Sequence, residues 1–309
     1  MASRQPQFFV HQDGSKTAYE IVGNDTTGAE PLVLVIGLSL IRGDWEPLLS
    51  KLSEDRQVLV FDNRGMGDST FSPSGDEDLT IELMARDLLD LLIFLDWKTI
   101  SICGYSMGGL IAQQLLLLPY IDNNPVSLPF RVTHIILAAT LTGPKNKEQG
   151  FKPAPPPSAD KERTWEERRE LRRPMLEASL DPKWVANPGN AARFNALLDR
   201  VSSGRYSPTI SEIAGSKLEK YYPKLGKDGK VLVIHGKLDN IVPFSYSSDV
   251  LQHIPWARMV EVGYGPGQLE SLDFGHHWFE YFSVDVWYRV IVQFLDEPAT
   301  AIDDRARMY

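Results

Sequence analysis

The 309-residue sequence predicts an α/β fold, a mostly parallel sheet with helices on both faces plus a helical insertion, and three observations carry the prediction. Two short runs, Leu32 to Ile36 and Val231 to Ile234, are continuously apolar and rich in Val and Ile. Strands buried on both faces look like this, and such strands belong to parallel sheets covered by helices. Strand-like runs alternate with helical patterns along most of the chain, the order expected of an α/β domain. Between Gly143 and Gly229 the alternation stops, and only helical signals remain.

Taken in order, Phe8 to His11 and Ala18 to Val22 fit a leading antiparallel hairpin joined through Asp13-Gly14. Val58 to Phe61, Ile100 to Cys103 and Val132 to Ala139 resemble the two apolar runs and are expected as further buried strands. Ile81, Met84, Ala85, Leu88, Leu92 and Leu95 recur at helical spacing, with Glu82, Arg86, Asp87 and Asp90 on the other side, so this is an amphipathic surface helix. A second helix is expected from Met107 to about Leu118, stopped by Pro119, and a third from about His277 to Leu295. In the insertion, Pro153 and Pro155 to Pro157 form a stiff irregular segment. Thr164-Trp165-Glu166-Glu167 matches a capping box and opens a charged helix to about Met175, supported by the spacing of Glu166 with Arg169 and Glu170 with Arg173. By composition its charged run reads as a solvated face. Two more helical pieces are expected near 191–202 and 210–221. The chain therefore divides into residues 1–142, a first part of the core, 143–228, a helical lid, and 229–309, the rest of the core. No repeat of 20–50 residues is visible.

The composition narrows the function classes. With 43% hydrophobic and 24% charged residues the chain reads as an ordinary globular protein. Its formal charge of −9, from 32 basic and 41 acidic side chains, argues against a nucleic-acid footprint and gives no reason to expect an anionic membrane partner. The expected partner is a small-molecule substrate, neutral or apolar, and a homodimer is compatible with the sequence. The single cysteine, Cys103, forms no internal disulfide, fits a reducing compartment and reads as a small buried hydrophobe. The first residues hold no apolar signal-peptide core, the C-terminal residues Ala306 to Tyr309 match no peroxisomal or lipidation address, and Leu32 to Ile41 is about half the length a spanning helix requires. A cytoplasmic protein is expected.

The most informative stretch is Ile100-Ser101-Ile102-Cys103-Gly104-Tyr105-Ser106-Met107-Gly108-Gly109. Gly104-x-Ser106-x-Gly108 matches a nucleophile elbow, a sharp strand-to-helix turn that projects a serine oxygen into an open site. Backbones approach closely in such a turn, so glycine two before and two after the serine removes the clash of a side chain. Gly109 and Ala112 let the following helix lie close to the sheet. The serine also sits at a helix N-terminus, where free N–H groups favour developing negative charge. An apolar strand before the motif and a helix with small residues after it separate it from a chance match.

With these residues the chain resembles the α/β-hydrolase family, in particular its members with a helical cap. Val60-Phe61-Asp62-Asn63-Arg64-Gly65-Met66-Gly67-Asp68-Ser69 looks like the family's D-x-R-G-x-G-x-S loop, which is mainly structural there. The rival reading, a phosphate loop, lacks the Lys-Ser/Thr ending. The resemblance covers about 220 residues and implies an eight-stranded, mostly parallel sheet.

A serine hydroxyl needs an adjacent base, itself oriented by a third group, and the family's chain order is serine, acid, histidine. His235-Gly236-Lys237-Leu238-Asp239-Asn240-Ile241-Val242-Pro243 looks like the family's acid loop G-x-x-D-x-x-V-P, which implies that Asp239 is the acid. Of the six histidines, His11 and His134 lie on early strands, His235 precedes the acid, and His253 falls in a helix behind the sheet. That leaves Gly275-His276-His277, and since the family places its base after a glycine in this loop, the resemblance implies His276, with His277 the alternative. The two lack the i, i+4 spacing of a zinc pair, and neither a metal nor an organic cofactor is expected. Gly263-Tyr264-Gly265-Pro266-Gly267-Gln268 is longer than the family's usual connection to the histidine.

The resemblance implies an oxyanion hole from the backbone N–H groups of Met107 and Leu38. Many members carry His-Gly where this chain has Ile36-Gly37, but a backbone donor survives that change. Ser39 is a further candidate donor. The expected reaction is hydrolysis of a small to medium, largely apolar ester or lactone through an acyl-enzyme on Ser106. Trp165, Trp184, Phe194, Tyr206, Tyr221 and Tyr222 are candidates to line the pocket, with packing inside the lid as the alternative for each. Epoxide hydrolases and haloalkane dehalogenases are disfavoured, because they carry aspartate at the position of Ser106. A haloperoxidase-like, C–C hydrolase or acyltransferase activity, or a triad-bearing ligand receptor, stays open on the same fold.

Overall fold

Side chains that are apolar on both sides of one strand need cover on both sides. In the computed structural model, which describes residues 5–25, 27–143, 163–203, 218–225 and 229–298, they receive it. In chain order the elements are β1 (Gln7–Val10), β2 (Lys16–Val22), β3 (Leu32–Val35), α1 (Leu48–Leu52), β4 (Val58–Phe61), α2 (Ile81–Leu95), β5 (Thr99–Tyr105) and α3 (Met107–Leu117). They continue with β6 (Arg131–Ala138), α4 (Trp165–Ser179), α5 (Pro182–Ala186), α6 (Ala191–Ser203), β7 (Lys230–Ile234), α7 (Ser245–His253), β8 (Arg258–Met259) and α8 (Val284–Leu295). The strands form one eight-stranded sheet in the order β1-β2-β4-β3-β5-β6-β7-β8. β1 with β2 and β2 with β4 are antiparallel, and the remaining neighbours are parallel.

Alternation along each strand splits the core into two layers. Val33, Val35, Leu59, Ile102, Val231 and Val233 face one side, packed with α2 and α3. Leu32, Leu34, Val58, Val60, Leu232 and Ile234 face the other, with α1 and α8. Burying one such side chain contributes roughly 1.5–3 kcal/mol, which makes both layers energetically necessary. Leu176 of α4, Leu180 just after it, and Phe194, Leu197 and Leu198 of α6 join the second layer, so these helices pack on the core.

Local signals start the helices. Thr80 accepts a hydrogen bond from the Leu83 N–H at 3.0 Å and caps α2. Thr164 and Glu167 form the capping box of α4. That helix runs past Met175, through Pro174, to Ser179. Its Glu170–Arg173 pair forms at 3.7 Å, while Arg169 reaches across to Asp199 and Asn195 of α6. The helix expected from His277 begins only at Val284. Residues 278–280 form a single short 3-10 turn, Phe282 has a φ of 60°, and Ser283 is extended at the helix N-cap. Burial of Trp278 and Phe279 holds the chain in this irregular path against the helical periodicity. The proline segment 153–157, Tyr206, most of the helix expected at 210–221 and the C-terminal residues 306–309 lie outside the described residues. Among the described residues no helix is long and apolar enough to cross a membrane.

The D-x-R-G loop ties elements together. Asp62 accepts from the N–H groups of Arg42 (2.7 Å) and Asp68 (2.9 Å) and pairs with the Arg42 guanidinium. Arg64 grips Asp87 of α2 through two hydrogen bonds, at 2.8 and 2.6 Å. Asn63 Nδ2 donates to the Ile36 carbonyl at 3.2 Å, steadying the loop after β3.

Candidate active site

Ser106 stands where β5 turns into α3, at the carboxyl end of the sheet where open α/β folds place their ligands. Its backbone lies at φ 55°, ψ −122°, a left-handed conformation that side chains rarely adopt. Three hydrogen bonds clamp it: its N–H donates to Ala138 O (2.9 Å), and its carbonyl accepts from the Gly109 N–H (2.9 Å) and Thr140 Oγ1 (2.7 Å). The flanking glycines are required by contact. A Cβ at Gly104 would stand 2.6 Å from Gly108 O, one at Gly108 would overlap the Val35 carbonyl, and one at Gly109 would meet Thr140 Oγ1 at 2.5 Å. α3 is buried on all sides, as a central helix against the sheet must be.

His276 lies between the other two residues. Its Nε2 is 3.0 Å from Ser106 Oγ and its Nδ1 is 2.8 Å from Asp239 Oδ2. A carboxylate only accepts, so Nδ1 carries the proton and the bare Nε2 accepts from the serine hydroxyl. Asp239 Oδ1 accepts from the N–H groups of Ile241 (2.9 Å) and Val242 (2.8 Å). Burial works to raise the Asp239 pKa, but the charge and hydrogen bond of His276 and the hydrogen bond of His235 outweigh it and hold the carboxyl well below its ordinary value. The loops that carry Asp239 and His276 are joined directly, Lys237 N–H to Leu272 O at 2.8 Å and Leu238 N–H to Phe274 O at 3.1 Å. Gly236 is obligatory there, since a Cβ would overlap the Phe274 carbonyl.

His277 points elsewhere. Its Nδ1 is 3.4 Å from Tyr105 Oη, and its ring is nearly perpendicular to that of His276. Burial first, then the charges of His276 and Arg200, push its pKa down to about 3. The other histidines make the structural contacts their positions suggest: His11 with Thr17 at 2.8 Å and His134 with Glu297 O at 2.9 Å. Cys103 is fully buried, and burial pushes its thiol up to about 12. The long connection closes on itself through Gly263 N–H to Leu269 O (2.7 Å) and Gly265 N–H to Gln268 Oε1 (2.9 Å). It returns the chain to the sheet edge, and its tip, Tyr264, is exposed.

A cavity of about 200 Å³ opens beside Ser106, and Gly37, Leu38, Ser39, Met107, His276 and His277 line it. Gly37 lets the β3 loop approach: a Cβ there would stand 3.1 Å from Ser106 Cβ. Met107 is the first residue of α3, so its N–H has no partner within the helix. The rest of the lining is mainly apolar, with Leu40, Leu110, Leu141, Ile241 and Val242 from the core and Arg172, Met175, Leu176 and Val201 from the insertion. Among the described residues, none of Trp165, Trp184, Phe194, Tyr221 and Tyr222 is in this lining. Phe194, Tyr221 and Tyr222 are buried in the core layers, Tyr222 donating to Gln113 at 2.6 Å, and Trp165 is partly exposed. The signal for the true lining was the spacing of Arg172, Met175, Leu176 and Ser179, one helical face that the charged residues around it obscure.

The fold and this arrangement define a class, and a family model described as alpha/beta hydrolase fold matches residues 30–268, so the chain belongs to the α/β-hydrolase fold family. Among curated relatives, RutD of Stutzerimonas stutzeri (strain A1501), named provisionally as a carbamate hydrolase, is 38% identical over 101 residues, 32% of this chain and 37% of that protein. The 3-oxoadipate enol-lactonase 1 of Acinetobacter baylyi is 33% identical over 106 residues, 34% of this chain and 38% of its own length. The chain thus spans somewhat over a third of the length of these relatives. The crystal structure of the enol-lactonase from Burkholderia xenovorans LB400 superposes with a TM-score of 0.65 at 21% identity, covering 94% of this chain and all of that one, a likeness of fold.

Proposed function

We propose that the protein is a serine hydrolase that cleaves a small to medium, largely apolar ester or lactone through an acyl-enzyme. The observation that carries this reading is the continuous hydrogen-bond chain Ser106 Oγ, His276, Asp239 beside an apolar cavity. Ser106 attacks the substrate carbonyl and passes its proton to His276 Nε2, while Asp239 stays ionised and stabilises the imidazolium. The N–H groups of Leu38 and Met107 receive the oxyanion, each worth about 3–4 kcal/mol of the barrier. His276 then protonates the leaving oxygen, and a water activated by the same imidazole releases the acid. The insertion 143–228 acts as the cap: Met175, Leu176 and Val201 roof the cavity and select an apolar acyl or alcohol part. The name of the Acinetobacter baylyi relative, an enol-lactonase, supports the substrate class. A fluorophosphonate probe should label one peptide, the one containing Ser106, and the Ser106→Ala variant should stay unlabelled. Labelling of another residue, or no multiple turnover across a panel of p-nitrophenyl esters and lactones, would overturn the reading.

A further inference from the structure

We propose that His235 is a positioning residue of the site: it holds the acid loop closed and supplies a further donor to Asp239. The proposal rests on the triad reading above. His235 directly follows β7, is fully buried, and packs edge-on against Phe244 at 5.9 Å. Its Nε2 is 2.8 Å from the Val242 carbonyl and 3.4 Å from Asp239 Oδ2, the same carboxylate oxygen that faces His276. Both neighbours of Nε2 only accept, so that nitrogen carries the proton. Among the described residues Nδ1 is buried with no partner, so the ring's polar contacts there are all made on the side of the acid.

The geometry closes a small circuit. Asp239 Oδ1 holds the Ile241 and Val242 N–H groups, and His235 holds the Val242 carbonyl. The turn that aims Asp239 at His276 is thereby pinned from both ends of residue 242. Ile241, Val242 and His276 meet the buried carboxylate with three N–H groups, and His235 Nε2 stands 3.4 Å from it, which keeps it ionised without water. The N–H of His235 also draws on the charge that Asp239 offers His276. Removing that donor therefore leaves the imidazolium of His276 better stabilised by Asp239. The titratable and polar groups facing His276 are Asp239, Ser106, Tyr105 and His277, and of these the change reaches Asp239 alone.

The test uses the full-length protein and its best p-nitrophenyl ester. His235→Leu should lower kcat about 10- to 100-fold with a much smaller change in KM, and should move the acid limb of the kcat/KM profile to higher pH. His235→Gln, whose amide N–H stands near the lost Nε2–H, should restore the acid limb and most of kcat. An acid limb identical to wild type in His235→Leu, with both variants folded by thermal melt, would overturn the proposal, because a merely structural histidine changes stability and not the pH profile. Should His235→Leu fail to fold, 15N-histidine NMR of the wild-type protein decides: a proton on Nε2 of His235 supports the proposal, and a ring protonated at Nδ1 alone sinks it. Failure of the triad reading has a separate signature, undiminished turnover in Ser106→Ala or His276→Ala.

Discussion

At Ser106 the backbone and the side chain make opposing demands. The left-handed conformation costs on the order of 1–3 kcal/mol, yet it is what lifts Oγ clear of the strand toward His276. The Ala138, Gly109 and Thr140 hydrogen bonds offset that cost. The adjacent histidines illustrate how one peptide bond separates two roles. His276→Ala removes the proposed base and should lower kcat by about 10²–10⁴-fold, whereas His277→Ala should retain most activity; steady-state kinetics with one ester gives the ranking, and the reverse order would reassign the base. His277 has a second, measurable consequence. Its ordinary pKa of 6.5 falls to about 3 in the fold, so below pH 6.5 the unfolded chain binds a proton that the native state refuses. Stability from this group is therefore present above that value and lost as pH falls toward 3. His277→Gln should flatten the decline of the urea midpoint between pH 7 and 5, and an unchanged slope would refute this account.

At the scale of elements, the β5–α3 unit is legible residue by residue, because its constraints are local. Glycine at 104, 108 and 109 has one reason to be there, the approach of backbone or Thr140, and a short motif states it. Gly108→Ala should accordingly cost about 1–3 kcal/mol or more, since the obstacle is the Val35 carbonyl rather than a flexible side chain; a denaturant melt within about 0.5 kcal/mol of wild type would contradict the close approach. Parallel strands were equally legible, because apolar runs of β-branched residues have few other uses. The sequence misleads where long-range packing overrides local pattern. His277 to Leu295 has helical periodicity, but Trp278 and Phe279 bury against Trp45 and the segment stays irregular to Ser283. α4 looks solvated because its charges outnumber its apolar face, and a proline at 174 resembles a stop. Which aromatic residues meet the cavity depended on how α4 and α6 lie over the sheet, information that no single helix pattern contains.

For the whole molecule, the decisive contact is the one between the insertion and the core. Glu280, buried in the core, receives Arg193 at 2.5 Å and Arg200 at 3.2 Å, both from α6, and Arg200 also stands 3.4 Å from Asp44. Val201, next to Arg200, lines the cavity, so this clasp and the proposed cap's roof are one structure. The two acids share the cations unequally. Burial, aided by the nearby charge of Asp62 and opposed by the Ile41 N–H and Arg200, raises the Asp44 pKa from 3.8 to about 6. A raised folded pKa means that the native state holds a proton the unfolded chain has released. Stability from Asp44 is thus full below about pH 4 and is lost as pH rises through 6, a change on the order of 2–3 kcal/mol. This runs opposite to His277, so across pH 4–6 the two buried groups partly cancel and the wild-type profile conceals both. Asp44→Asn separates them. It keeps an acceptor for the Ile41 N–H, leaves Glu280 to hold Arg200, and has no proton to lose. Its stability relative to wild type should rise by about 2–3 kcal/mol between pH 4.5 and 7.5 in paired urea melts, steepening the acid sensitivity that His277 supplies. A difference between the two proteins that does not change with pH would mean that Asp44 is ionised throughout and that Arg200, not burial, dominates its state.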